Sequence, residues 1–200
     1  MIVYVESNFV LELAFLREDH LACAELLTLS EANTIQLIIP AFSIGEPYEA
    51  WGRRSKQRSD LHSKLSSELK ELSRSEPYKE LSQEFHELTG LLVRSNEDEK
   101  QRLDGALDKI LNVAQIIAIN AATIRLAITY QRTRSLKPQD AIVYASVIQH
   151  LSENLTDKKC FITANAKDFV NPDIKNELAS YDCYLLTRFS DGLGYIRSQS

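Results

Sequence analysis

The chain is poor in the residues that mark special classes of protein. Three cysteines in 200 residues (Cys23, Cys160 and Cys183) form an odd set without C-x-x-C spacing, and four histidines are scattered. That pattern excludes a disulfide framework and argues against a zinc centre; the thiols read as reduced and buried, as in a cytoplasmic protein. With only six Gly and five Pro the chain has no collagen-like or stalk-like character. No apolar run approaches the ~18 residues of a membrane helix, so no membrane span is expected. The start, MIVYVESNFV, has no basic stretch and carries Glu6 where a signal peptide stays apolar. A P-loop, a G-x-G-x-x-G turn and a G-x-S-x-G elbow are all missing, which removes the common nucleotide-binding and serine-hydrolase fingerprints.

What remains is an ordinary globular composition, 44% hydrophobic and 26% charged, long enough to bury one substantial core. The net charge of −5 counts against a uniformly basic nucleic-acid face. Basic residues nevertheless gather at Arg53, Arg54, Lys56 and Arg58, and again at Arg125, Arg132, Arg134 and Lys137.

Apolar patterning predicts alternating strands and helices. MIVYV (1–5) reads as a buried strand, with Ser7 or Asn8 capping the helix that follows. A second helix spans about 20–32, and IQLII (35–39) is the next strand. Ser43 and Glu46 stand in the S-x-x-E capping arrangement, and Pro47 belongs near a first turn. From about 52 to 112 the composition becomes charged and helical. Leu61, Leu65, Leu69 and Leu72 form one stripe, and Tyr78, Leu81, Phe85, Leu88 and Leu92 a second after Pro77. Asn96 is placed to cap a third helix carrying Leu103, Leu107 and Ile110. VAQIIAI (113–119) is ambiguous between strand and helix. Asn120 caps a helix to about Thr133, Pro138 opens another, and KCFIT (159–163) and YDCYLLT (181–187) complete the strands. Alternation of this kind predicts an α/β fold with a mostly parallel sheet covered on both faces.

Four acidic sites share one placement. Glu6 follows the first strand, Glu46 the second, Asp140 opens a helix, and Asn165 with Asp168 follows the strand at 159–163. In an open α/β sheet such positions line the crevice at the carboxyl ends of the strands. Converging carboxylates repel unless a cation sits among them, and Mg²⁺ or Mn²⁺ suits carboxylate oxygens. Helix dipoles and capping also favour acids in first turns, so Glu46, Asp140 and Asp168 each have a purely local reading. The dipole should lower the pKa of Asp140. Tyr4, Tyr48 and Trp51 are candidate base-stacking or packing residues.

The segments carrying these acids resemble the ordered motifs of PIN-domain nucleases. IVYVESNFVLEL is similar to their first strand, with an acid, a Ser and an Asn after it. PAFSIGEPYEA resembles their second motif, SLKPQDAIVYAS their third, and FITANAKDF their fourth. The resemblance implies a Rossmann-like three-layer α/β/α domain over residues 1–200, with about five strands and a helical insertion at about 52–112. It implies a metal-dependent ribonuclease using Mg²⁺ or Mn²⁺ at Glu6, Glu46, Asp140 and Asp168, with Ser7, Thr163 and Asn165 supporting them. The family includes toxins of toxin–antitoxin pairs and stand-alone RNA-processing enzymes, so an antitoxin or other protein partner is possible. Arg53, Arg54 and Lys56 are the candidates for RNA phosphate contact. Two departures stand out: Glu6 replaces the more usual Asp, and Asn165 stands where some members carry another acid. They motivate a rival reading, a catalytically weak module that binds RNA or a protein partner. The two leucine-rich stripes predict packing on another chain, a homodimer first.

Overall fold

A computed structural model describes residues 1–155 and 158–199; the side chains at 83, 84 and 86–88, Leu88 of the second stripe among them, lie outside the described residues. Five strands, β1 (Ile2–Val5), β2 (Gln36–Pro40), β3 (Gln115–Ile117), β4 (Lys159–Ile162) and β5 (Cys183–Leu186), form one sheet in the order β3-β2-β1-β4-β5. Every pairing is parallel. The sheet is therefore wholly rather than mostly parallel, and the ambiguous 113–119 segment supplies an edge strand. All residues of the central β1 and β4 are buried, as expected of strands covered on both faces.

The period of two along the central strands separates two cores. Val3, Val5, Cys160 and Ile162 face α1 (Ser7–Phe15), α2 (His20–Glu31) and α9 (Phe189–Gln199). Ile2, Tyr4, Phe161 and Cys183 face α5 (Ala121–Thr133), α6 (Pro138–Glu153) and α8 (Pro172–Ala179). This is the three-layer α/β/α arrangement. Tyr4 is fully buried, its hydroxyl 2.9 Å from His150 Nδ1, so it packs and does not stack on bases. The three cysteines are free and buried, and burial pushes their thiols up. No helix among the described residues is long and apolar enough to cross a membrane.

Two expected helix starts differ. Glu6, not Ser7 or Asn8, is the N-cap of α1, with its carboxylate accepting the Asn8 N–H. The Ser43–Glu46 capping box does not form: α3 (Phe42–Leu72) starts two residues earlier, at the Ala41 cap, and Ser43 Oγ is buried without a partner. Pro47 then falls at the sixth helical position, beyond the first turn.

The helical stretch makes two long helices where three were expected. α3 runs to a 3₁₀ turn at Glu76–Tyr78, next to the expected break at Pro77, and α4 (Lys79–Val113) returns without interruption. Asn96 lies in the middle of α4, held by tertiary partners instead of capping. Its Oδ1 accepts from Arg58 at 3.1 Å and its carbonyl from Trp51 Nε1 at 3.1 Å. The last turns of α4 bring Leu103, Leu107 and Ile110 into the core. The base of this hairpin thus belongs to the main body, while its distal half projects.

Candidate active site

Register brings the first two pieces of the site together. Val5 pairs with Ile162, so the residues leaving the adjacent strands β1 and β4, Glu6 and Thr163, emerge side by side. Glu6 is buried, and both of its oxygens are occupied. Oε1 accepts from Thr163 Oγ1 (3.0 Å), Asn8 Nδ2 (3.0 Å) and the Ala164 N–H (3.3 Å). Oε2 accepts from Ser7 Oγ (3.0 Å) and the Asn8 N–H (2.9 Å). Burial raises the Glu6 pKa, and the donors from Asn8, Ser7 and Thr163 pull against it. These donors satisfy the hydrogen-bonding capacity of the buried carboxylate.

Thr163 links this station to the next. Its hydroxyl accepts the Asn165 N–H at 2.9 Å, which fixes the turn into α7 (Ala166–Phe169). The Asn165 amide then donates to both aspartates, at 3.1 Å to Asp140 Oδ1 and 2.9 Å to Asp168 Oδ2. Lys137, the N-cap residue of α6, completes the cluster with its ammonium 2.8 Å from Asp168 Oδ2.

The two aspartates differ in electrostatics. Lys137 beside Asp168 holds that carboxyl below its ordinary value, with Asn165 assisting. Asp140 moves the other way, up to about 6, through burial first and the charge of Asp168 second; Glu46 adds a smaller upward push. The expectation that the helix terminus would lower Asp140 is therefore corrected. Asp140 does occupy the first turn of α6, but burial and a neighbouring anion outweigh the dipole. Glu46, half-buried on α3, stands at the rim.

The basic run after Glu46 is divided between two roles. Arg53 and Lys56 are exposed. Arg54 lies over the Phe15 ring at 4.4 Å and 3.8 Å from Glu99, which also pairs with Arg58 at 2.8 Å. Arg54 and Arg58 thus hold α3, α4 and α1 together. Trp51 is half-buried with its N–H bonded, and Tyr48 donates to Asp104 at 2.8 Å. Sequence reasoning missed Lys137 as a site residue. Its signal was the position immediately before Pro138, at the cap of the helix bearing Asp140.

A family model described as PIN domain matches residues 3–169, a span that includes all four acids. The chain belongs to the PIN-domain family. No curated protein and no solved structure gives a significant match. PIN domains are generally nucleases and typically use divalent metals. The donor set of this PIN domain fits such an ion in kind: aspartate and amide oxygens are hard ligands, and the ammonium on Asp168 shows that a cation is stable there. As the side chains stand, no three His, Cys, Asp or Glu among the described residues are grouped to hold one.

Proposed function

We propose that this PIN domain hydrolyses RNA phosphodiester bonds with Mg²⁺ or Mn²⁺ at its acids. The observation that supports this reading most is the cluster of Asp140, Asn165 and Asp168, bridged by one amide and compensated by one lysine, at the carboxyl end of the sheet. Asp140 and Asp168 would hold the ion directly or through water, with Glu46 joining from the rim. Such an ion supplies a more acidic water and charge compensation for the phosphate. Asn165 keeps the two carboxylates oriented. Glu6 acts here as a positioning residue, because its oxygens are committed to the donors that fix Thr163 and the β4–α7 turn. Lys137 is exposed enough to turn from Asp168 towards a phosphate oxygen. Arg53 and Lys56 can meet the RNA backbone, whereas Arg54 is engaged in packing.

The second reading is a catalytically weak module that binds RNA or a protein partner such as an antitoxin. The saturation of Glu6 favours it, since a saturated carboxylate leaves one acid fewer for an ion. Incubating generic single-stranded RNA with the protein and Mn²⁺, Ca²⁺ or a chelator separates the two. Cleavage with Mn²⁺ alone supports the nuclease; RNA retention without cleavage in every condition supports the module.

A further inference from the structure

The distal half of the α3–α4 hairpin is built inside out. Along α4, positions seven apart face inward: Ser82, Thr89, Asn96, then Leu103 and Ile110, all buried. The seam is thus apolar at the base and polar towards the tip. Across it, α3 contributes Ser55 and Arg58, and the contacts are Arg58 to Asn96 and Glu99. The large apolar side chains lie outside this seam. Leu61, Leu65, Leu72, Tyr78, Leu81 and Phe85 are between 39% and 55% exposed. Helical spacing sets Leu61, Leu65 and Leu72 on one flank of α3. Leu69 and Leu72 of α3 and Tyr78, Leu81 and Phe85 line one groove of about 240 Å³ at the tip, with the seam residue Ser82 at its floor, so the two helices present a common face. A solvent-bathed arm would show the reverse pattern.

We propose that this face is the interface of a homodimer, in which the hairpins of two copies pack as a four-helix bundle about a two-fold axis. Two observations favour a second copy over another occupant. The first is charge. On α3, residues 56–72 carry four basic and three acidic residues, while residues 79–94 on α4 carry three acidic and two basic. A two-fold that lays α3 of one copy along α4 of the other matches positive to negative twice, as an isologous interface requires. The second is area. Half-exposed side chains of this size contribute on the order of 80–100 Å² each, so the six supply roughly 500–600 Å², the larger part of the roughly 800 Å² per partner of a standard stable interface.

The test is the mass of the full chain by light scattering and sedimentation at micromolar concentration. The wild type is expected to be a dimer, and Leu65→Glu with Phe85→Glu a monomer with the same helical content. Should the double variant lose helicity, the single exposed change Leu81→Glu reads the same face. A monomeric wild type overturns the proposal, as does a dimer that survives these substitutions in a folded protein. Neither outcome bears on the nuclease reading, which the cleavage assay tests separately.

Discussion

The two carboxylate stations at the carboxyl end of the sheet differ in what balances them. At the β1 end, Glu6 is surrounded by neutral donors from Ser7, Asn8, Thr163 and Ala164, and it caps a helix. At the α6–α7 end, Asp140 and Asp168 face one amide and one lysine, and one carboxyl is pushed up to about 6. Donors that belong to the frame make an acid part of the frame. A removable ammonium and a mutual repulsion leave acids ready for another cation. Under the function proposed above, this difference would make Glu6 a positioning acid and the aspartates the ligands, although all leave strand ends or helix starts with the same side-chain chemistry.

Asp140→Asn should show the largest effect. It removes a candidate ligand while keeping shape, so Mn²⁺-dependent RNA cleavage should drop on the order of 100-fold or more. Its metal-free melting temperature should hold or rise, because the repulsion with Asp168 is relieved. Full activity in this variant would move the site elsewhere.

Glu6→Ala should do the opposite. It strands the buried donors of Ser7, Asn8 and Thr163, which should lower stability by about 2–3 kcal/mol in denaturant unfolding. Unchanged stability would mean that Glu6 does not hold these donors in the frame. Lys137→Met should act more gently. Asp168 loses an exposed ion pair that competes for the same oxygen, so Mn²⁺ should bind a few-fold tighter by calorimetry. Weaker binding would show that Lys137 assists the ion rather than competing with it.

The smallest effect is a pH dependence of the metal-free protein. The carboxyl of Asp140 rises from 3.8 to about 6 on folding, so the folded state favours its protonated form. That contribution to stability is fully present below the unfolded value and is lost as pH rises through about 6. Melting temperatures across this window should fall with rising pH in wild type more than in Asp140→Asn. Parallel curves would contradict the shift.

Much of the fold was legible because strands buried on both faces read as short apolar runs, as in IVYV and KCFI. The acids were legible as a set, but their surroundings were not. Glu6 and Asp140 look alike in sequence, and only the β1–β4 register, which sets Thr163 beside Glu6, tells them apart. The capping box at Ser43 failed because the helix begins two residues earlier, at Ala41, which leaves Ser43 inside the helix. Asn96 misled for a related reason: an Asn that usually caps a helix is also the right size for a polar seam, where Arg58 and Trp51 hold it. Arg54 reads as a surface charge until Phe15 and Glu99 are seen to meet it.

The central claim, that Asp140 and Asp168 rather than Glu6 receive the ion, is tested most directly by titrating Mn²⁺ into the RNA-free protein. Calorimetry of wild type, Asp140→Asn and Glu6→Gln, each with circular dichroism to verify folding, supplies the comparison. We predict one Mn²⁺ site in wild type, its loss in Asp140→Asn, and its retention in folded Glu6→Gln. Undiminished binding in Asp140→Asn, or loss of binding confined to a fully folded Glu6→Gln, would contradict the account.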